Sequence, residues 1–556
     1  MKRIECFLRK YIDVIYALFG IVVVLSVLIV NYIALGNNLI PSDEGWYLCL
    51  LRDCPVFGTT RFHLLFKGIF GSNIHAIRIC NFSLSIIGAF FFTFGLGYYF
   101  VNRLLHQEQQ KRKWLFYLVA LGIVYCGQMG IVSCPSLNYI SLNIVIAEIG
   151  MGFLLIGLVR EKWIYYVCSG FAISFLFPVM ITNVIIIPVM CIVIWLLSSN
   201  KERHLLAFIG GCLLFVIYYL AVIESPKSVF EFLLNGTTQT VSRGSSDYGV
   251  IFLVKWLVKV GLYMFRCALI ALLLYAQYYV IRYKTHLAIG VKNTICLFTT
   301  AIILGWALKY IPPYIPCFQF GILMWMHDIL WILLFVDIIW MIVNRKAIDI
   351  QRLVIGGCLL FMPIALSFGT NVSFYIRQGC YLSFLLAAIY FFSLNNSLTK
   401  KAILLFVLMA QFALFVNGWK GENWHGEKWF GNKVPVSTIG INQKVAIDAP
   451  YIKRVETCRQ LVPQGKILCD SETWGFVSLL DYTPITYDFD ITRLDMESIQ
   501  AMVDNAMKGE KGLWVVSQKW HTKFIDKINQ LQGYEIKNYI YDFDEYFYLT
   551  PITDEE

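Results

Sequence analysis

Two adjacent carboxylates, Asp43 and Glu44, are the residues of this sequence best suited to chemistry. They lie in the segment 40–47 (IPSDEGWY), just after a long apolar run. A carboxylate next to hydrocarbon must stay hydrated or paired, so membrane proteins seldom place one there without a role. The pair is therefore a candidate general base. The alternative is an interfacial loop whose charges only mark the boundary with water.

The composition indicates that these carboxylates belong to a membrane protein. Of the 556 residues, 58% are hydrophobic and 15% are charged, whereas soluble proteins carry roughly 25% charged residues. Many apolar runs reach the roughly 20 residues that cross a bilayer. The net charge of +10 comes from Lys and Arg in short segments between these runs. That distribution is a topology signal, so nucleic acid is not an expected partner.

The hydropathy predicts an α-helical polytopic membrane protein of about thirteen transmembrane helices, with boundaries accurate to about 2–4 residues. The predicted spans are 14–35, 76–101, 114–132, 139–159, 163–181, 183–198, 205–223, 255–281, 293–309, 319–343, 353–370, 379–394 and 401–417. They give a membrane module, 1–417, with a first outer loop at 36–75. Residues 418–556 are expected to form a small soluble α/β domain.

The loops between these spans differ in their content of Lys and Arg. Every second loop is basic, and these loops lie at 103–113, 160–162, 201–203, 282–292, 345–352 and 400–401. The positive-inside rule then places the N-terminus in the cytoplasm. Asp43, Glu44 and the C-terminal domain are expected outside it, with the chain integral to the inner membrane of a bacterium.

The C-terminal domain shows the alternating pattern of strands and helices. Residues 466–470 and 512–517 have the character of strands, and 494–508 and 522–532 have helical spacing. Residues 536–549 alternate as a hairpin or a long edge strand would. The domain has no Gly-rich phosphate loop, so we expect a structural lid or a platform for a partner.

This layout suits the transfer of a sugar from a lipid-linked donor. The donor phosphate would lie near the membrane surface, held by cations, and an acceptor hydroxyl would need a carboxylate to take its proton. Phosphate is a good leaving group, so one base suffices, and direct displacement inverts the sugar carbon. Asp43 is the expected base, and we expect Asp43 and Glu44 to face a water-filled cavity. The candidate cations for the phosphate are Lys67, Arg78, Arg243 and Arg377.

The same residues resemble those of the GT-C superfamily of membrane glycosyltransferases. The resemblance rests on the acidic pair, the amphipathic stretch 60–67, the segment 75–78 (HAIR) that opens the second span, and the thirteen-span layout with an outer C-terminal domain. Protein O-mannosyltransferases and lipid A aminoarabinose transferases are the most similar members. The resemblance implies a polyprenyl-phosphate sugar donor, a lipid, glycan or protein acceptor, Asp43 as base, and Arg78 as a phosphate or active-site contact.

The sequence departs from that family in one loop. Many of the similar enzymes carry a second acidic residue in the loop before the fourth span, whereas here the loop 133–139 (SCPSLNY) has none. Either the acidic pair suffices, or the metal and substrate contacts differ, or activity is lost. No cofactor is fixed by the sequence, and dependence on a divalent metal stays open.

Four further polar residues are additional candidates for the site. His63 lies in the amphipathic stretch of the first outer loop, Glu148 in the middle of the fourth span, and His327 and Asp328 in the tenth span. Ionisable groups inside a membrane are costly and mark functional or paired sites. For Glu148 structural pairing is favoured, and for His327 and Asp328 a helix-packing hydrogen bond is equally compatible.

Three other functions compete with a glycosyltransferase. A flippase or transporter of lipid-linked glycans would show repeated, broken helices at matching positions, and no such repeat is visible. A glycan polymerase would place its large outer loop between spans and lack the early acidic pair. A catalytically inactive scaffold of the same fold would explain the missing second acid.

Overall fold

The structure is a computed structural model of the whole chain. It describes all residues except 1, 37–38, 40–42, 56–60, 105–112, 128–134, 232–249, 311–317, 344–348, 369–377, 394–404, 406–407, 410–411, 414–432, 464, 488–490 and 553–556. The side chains of 2–10, 34, 126–127, 250–253, 282, 290, 293, 297, 301, 304–310, 318–327, 378–379, 393 and 493 also lie outside the described part.

The membrane module is built from α-helices. They are α1 (Lys2–Ala34), α2 (Asp43–Asp53), α3 (Ile74–Tyr99), α4 (Lys113–Gly127), α5 (Tyr139–Arg160), α6 (Trp163–Ser174), α7 (Leu176–Val179), α8 (Ile186–Leu197), α9 (Lys201–Tyr218), α10 (Val250–Tyr279), α11 (Ile289–Tyr310), α12 (Phe318–Val343), α13 (Ile350–Ser367) and α14 (Leu382–Ser393). Three short 3₁₀ helices, Phe62–Phe66, Ile181–Ile185 and Gln378–Tyr381, connect them.

The helices confirm a helical membrane protein. Within the described residues, six are long and apolar enough to cross a bilayer: Tyr11–Ile33, Ile74–Leu104, Tyr139–Arg160, Lys201–Ile223, Val254–Tyr279 and Ile350–Ser367. Four shorter apolar helices of 10–17 residues coincide with predicted spans: Lys113–Tyr125, Trp163–Val179, Ile181–Leu197 and Leu382–Phe392. The predicted span 401–417 lies mostly outside the described residues. The number of thirteen spans stays a prediction.

Helices α3 and α5 pack closely, and their contact positions the acidic pair's neighbours. A β-carbon built on Gly95 of α3 would lie 2.5 Å from the carbonyl oxygen of Gly152 on α5. Such an approach is possible only because both residues lack a side chain, as in the small-residue contacts of membrane helices. The α3–α5 contact brings the beginnings of both helices together, with Arg78 on one and the segment 135–138 before the other.

The C-terminal domain contains two sheets and four α-helices. Its strands are β1 (Lys433–Pro435), β2 (Ala446–Asp448), β3 (Lys466–Cys469), β4 (Thr483–Pro484), β5 (Leu513–Gln518), β6 (Tyr534–Tyr541) and β7 (Asp544–Pro551). Its helices are α15 (Ala449–Leu461), α16 (Trp474–Leu479), α17 (Met496–Met507) and α18 (Thr522–Asn529). The predicted strands, helices and hairpin are confirmed. The predicted domain boundary at 417 lies outside the described residues.

The larger sheet has the strand order β4-β3-β5-β7-β6, parallel across β4, β3 and β5 and antiparallel across β7 and β6. Its two faces contribute to different cores. Val515 and Phe547 belong to a core closed by α17 and α18. Val516 and Tyr546 belong to the core that continues into the membrane module. The C-terminal domain is therefore packed against the module and shares its hydrophobic core.

Candidate functional site

The acidic pair forms the first turn of α2. Asp43 begins the helix and is half-buried, whereas Glu44 is wholly buried. Carboxylates are favoured at this end of a helix because the unsatisfied backbone N–H groups give it a partial positive charge. Two neighbouring acids thus have different surroundings, and only Asp43 has access to solvent. The expectation that both carboxylates face water is wrong for Glu44.

Glu44 forms a two-point ion pair with Arg78, in the second turn of α3. Nε of Arg78 donates to Oε1 of Glu44 at 2.8 Å, and Nη2 donates to Oε2 at 2.9 Å. Both side chains are 0% exposed. Nη1 of Arg78 also donates to the backbone carbonyl of Leu35, next to the end of α1, at 3.2 Å. One arginine therefore connects the end of α1 with the beginnings of α2 and α3.

The loop that lacks the second acid contributes to the same cluster. The hydroxyl of Ser136 donates to Oε1 of Glu44 at 2.5 Å, a short charge-assisted hydrogen bond. The loop is fixed against α3, because the amide of Asn81 donates to the Pro135 carbonyl at 2.9 Å. The amide of Asn138 donates to the carbonyl of Ser136 itself at 2.8 Å. Sequence reasoning had marked this loop only for its missing acid, and the serine beside Glu44 was missed.

These contacts change the roles that Glu44 and Arg78 can have. Both carboxylate oxygens of Glu44 accept hydrogen bonds from Arg78, and one also accepts from Ser136. A buried arginine engaged in this way cannot also bind a donor phosphate without exposing a buried carboxylate, which is costly. The cluster of Glu44, Arg78 and Ser136, named here the buried triad, is thus arranged to hold the first turn of α2.

The C-terminal domain covers α2 along its length. A β-carbon on Gly45 would lie 2.6 Å from the backbone nitrogen of Gly475, so the two backbones are in direct contact. Nε1 of Trp46 donates to the carbonyl of Tyr487 at 2.9 Å. At the other end of α2, Nη2 of Arg52 donates to the carbonyl of Tyr482 at 2.7 Å. The helix that carries the acidic pair is therefore sandwiched between the membrane helices and the C-terminal domain.

The amphipathic stretch of the first outer loop forms the 3₁₀ helix Phe62–Phe66. His63 is wholly buried, and its Nε2 lies 2.7 Å from the carbonyl oxygen of Pro55, which makes Nε2 the protonated ring nitrogen. Burial lowers the pKa of His63 to about 4, so the ring is neutral at pH 7. Lys67 follows the helix and is exposed. Arg61, just before it, is buried and paired with Glu224.

The remaining candidates are distributed over other parts of the chain. Arg243 and Arg377 lie outside the described residues, and so does the side chain of His327 on α12. Asp328 accepts a hydrogen bond from the hydroxyl of Tyr263 on α10 at 2.6 Å. Glu148 accepts one from the hydroxyl of Ser383 on α14 at 3.1 Å. Asp328 and Glu148 are both buried helix-to-helix contacts, and no described contact joins either of them to the acidic pair.

Metal binding has no visible support in the described part of the chain. There, no three or more His, Cys, Asp and Glu side chains come together in a group that could hold a metal ion. Glu44, the better buried of the two acids, has Arg78 as its cation instead.

No protein-family model and no curated protein matches this sequence.

Proposed function

We propose that the protein is an inverting membrane glycosyltransferase that moves a sugar from a polyprenyl-phosphate donor to a lipid, glycan or protein acceptor. The observation that carries the proposal is the unequal environment of the two acids. Glu44 is buried in the triad with Arg78 and Ser136, whereas Asp43, one residue earlier, keeps solvent access. A reactive group must be held in one geometry by partners that are themselves fixed, and the buried triad supplies such a support.

In the proposed reaction Asp43 is the catalytic residue. A carboxylate oxygen of Asp43 takes the proton of the acceptor hydroxyl as the acceptor oxygen attacks the sugar carbon. The bond between that carbon and the phosphate oxygen breaks, and the electron pair leaves with the polyprenyl phosphate. Attack from the face opposite the leaving group inverts the configuration. Glu44 and Arg78 act as positioning residues, since both are occupied by each other.

The donor phosphate requires a cation other than Arg78. Of the four candidates, Lys67 is described and exposed, at the end of the 3₁₀ helix beside the membrane module. Arg243 and Arg377 complete the proposed phosphate contacts. A lysine provides a point charge that suits a phosphate at the membrane surface.

The proposal includes a topology. The basic loops place the N-terminus in the cytoplasm, and the acidic pair and the C-terminal domain on the other side of a bacterial inner membrane. The contact of Gly45 with Gly475 supports one part of this arrangement, because it requires α2 and the C-terminal domain to lie on the same side. Thirteen spans, an odd number, are consistent with termini on opposite sides.

An inactive scaffold of the same fold is the second candidate function. The observation in its favour is Ser136, which contacts Glu44 in the loop where the similar transferases carry an acid. In such a scaffold the triad would only stabilise the junction of α1, α2 and α3.

A donor-turnover assay tests the proposal. The full chain in lipid nanodiscs would receive polyprenyl-phosphate mannose or polyprenyl-phosphate aminoarabinose with a bacterial membrane fraction as acceptor, and released polyprenyl phosphate would be measured. Asp43→Asn should lower turnover about 10²–10⁴-fold, the usual contribution of a general base. Asp53→Asn, at the other end of α2, is the matched control and should retain turnover. Full turnover in Asp43→Asn would refute the base, and donor binding without turnover in the wild type would favour the scaffold.

A further inference from the structure

The C-terminal sheet has one edge at which several strands end together. β3 ends at Cys469, which pairs with Val516 near the end of β5. Gln518, the last residue of β5, pairs with Asp544, and Asp544 pairs with Tyr541 across the β6–β7 turn. We call this side of the sheet the carboxyl edge. The residues that follow β3 and β5, and the tip of the β6–β7 hairpin, therefore project from the same side.

The carboxyl edge contacts the first turn of α2, whereas the opposite end of the sheet contacts the last turn of α2 through Tyr482. Trp474 and Gly475 begin α16 shortly after β3 ends, and their backbone contacts Gly45. Tyr487, a few residues past β4, accepts the hydrogen bond from Trp46. Both contacts lie in the first turn of α2, next to the end of α1 and the beginning of α3. The carboxyl edge therefore lies where membrane helix α1 ends and membrane helix α3 begins.

Three exposed aromatic side chains lie in the loops at the carboxyl edge. Trp520 follows β5 and is 58% exposed, and Phe543, in the hairpin turn, is 54% exposed. Tyr541 precedes that turn and is also exposed. The backbone N–H of Lys519 donates to the carbonyl of Phe543 at 3.0 Å, which holds the two loops side by side. We name Trp520, Tyr541 and Phe543 the aromatic rim.

We propose that the aromatic rim rests in the headgroup layer of the bilayer that this chain crosses, as a second attachment of the C-terminal domain. Trp and Tyr concentrate at membrane–water interfaces because their rings combine an apolar body with a polar atom. Clustered exposed rings are unusual on a surface that meets only water. The exposed Lys523 lies close in sequence and suits the phosphate-rich headgroup layer. Asp542, at the tip, can remain in the hydrated part of that layer.

The proposal depends on the helical membrane module and not on transferase activity. Strands in a sheet are about 4.8 Å apart, so β7 and β6 lie roughly 10 and 15 Å sideways from β3, which adjoins α16. In the proposed arrangement the rim lies beyond α2 and over lipid. The domain would then be held at two points, through α16 on the protein and through the rim on the lipid, and its tilt over Asp43 would be fixed.

Photocrosslinking tests the contact. Benzoylphenylalanine would replace Trp520 or Phe543 in the full chain, reconstituted in phosphatidylcholine nanodiscs, and lipid adducts would be measured by mass spectrometry. The matched control is Ile552, an apolar residue that is 59% exposed at the opposite edge of the same sheet. Exposed Leu18 on α1 serves as the positive control. We expect adducts at 520 and 543, as at 18, and several-fold fewer at 552. Adducts at 18 alone, or equally at 552, would overturn the proposal.

Hydrogen exchange provides a second measurement that does not use a bulky probe. In nanodiscs, the backbone amide hydrogens of the β6–β7 hairpin should exchange several-fold faster in the double variant Trp520→Ser, Phe543→Ser than in the wild type. Ile552→Ser should leave this rate unchanged. Equal rates in the double variant and the wild type would also overturn the proposal, because the hairpin would then gain nothing from the membrane.

Discussion

Two arginine–carboxylate pairs, one in each part of the molecule, show how similar geometry can have different consequences. Glu44–Arg78 and Asp544–Arg454 are both two-point pairs, with N–O distances of 2.8 and 2.9 Å in the first and 2.6 and 2.8 Å in the second. The first is wholly buried between α2 and α3. The second joins α15 to β7, and its arginine is partly exposed and lies over the ring of Tyr451.

The difference lies in what surrounds each pair. Removing two charges completely from water costs several kcal/mol per ion and is compensated only by very good geometry and extra hydrogen bonds. Glu44–Arg78 has those bonds, from Ser136 and to Leu35, and it adjoins the half-buried Asp43. Asp544–Arg454 has an aromatic neighbour and partial contact with water, and no candidate catalytic residue next to it. Stabilisation of the fold alone explains the second pair, whereas the first is also positioned to orient the proposed base, Asp43.

The largest expected effect is the loss of one partner in the membrane module. Arg78→Met leaves the Glu44 carboxylate buried without a cation, which should lower the unfolding free energy by about 3–5 kcal/mol. Denaturation by SDS in mixed micelles would measure it. A variant that unfolds like the wild type and only binds donor more weakly would show that Arg78 contacts the phosphate, contrary to the structure.

A double variant separates stability from positioning in this pair. Glu44→Leu with Arg78→Met removes both charges, and buried ion pairs replaced by apolar residues are often as stable as the original. We expect stability to return and sugar transfer to stay low, because the first turn of α2 is no longer fixed. If both stability and sugar transfer returned to the wild-type level, the buried triad would have only a structural role.

The corresponding change in the C-terminal domain should be smaller. Arg454→Met removes two charge-assisted hydrogen bonds from Asp544, and because Arg454 is partly exposed to water, the two together should contribute roughly 1.5–3 kcal/mol. Burial already raises the pKa of Asp544 above its ordinary value, so the isolated carboxyl can become protonated and limit the loss. Thermal unfolding followed by near-UV circular dichroism would measure it. Transfer per folded molecule should be unchanged, and a loss equal to that in Arg78→Met would remove the distinction between the pairs.

Acid should weaken the membrane module through His63. Its pKa is about 4 in the folded protein and 6.5 in its ordinary state, so the unfolded chain binds the proton more readily. The contribution of the neutral His63 ring to the free energy of unfolding is complete above pH 6.5 and is lost as the pH falls toward 4. Between pH 7 and pH 5 the loss should be roughly 2 kcal/mol. His63→Asn, which keeps a donor for Pro55 and does not titrate, should flatten the pH dependence in the same SDS assay.

The smallest expected effect concerns the third member of the buried triad. Ser136→Ala removes one hydrogen bond to a carboxylate that keeps both bonds from Arg78, so the cost should be about 1–2 kcal/mol. Sugar transfer should fall by more than this stability loss explains, if Ser136 helps to fix Glu44. Ser141→Ala, in the first turn of α5, is a control for the loop, because among the described contacts its hydroxyl bonds only to the backbone N–H and carbonyl of Asn138.

The predictions from sequence succeeded where one local pattern determines the structure. Apolar length identified the spanning helices such as 139–160, and strand alternation identified the β6–β7 hairpin. They were less successful where distant segments meet. The sequence shows Glu44 next to Asp43, and nothing local reveals that Arg78 and Ser136 occupy its oxygens. The junction between the predicted spans 163–181 and 183–198 has its break at the extended Met180, within the error of the predicted boundaries.

Contact between Gly45 and Gly475 has a consequence for the order of biosynthesis. Trp46 and its partner Tyr487 are 441 residues apart, so α2 must leave the ribosome long before the surface that covers it has been synthesised. During that interval the helix with the acidic pair has only the membrane helices as neighbours. Truncated products would retain α2 and the buried triad and lack its cover. Synthesis of the C-terminal domain is therefore also the step that covers the first turn of α2.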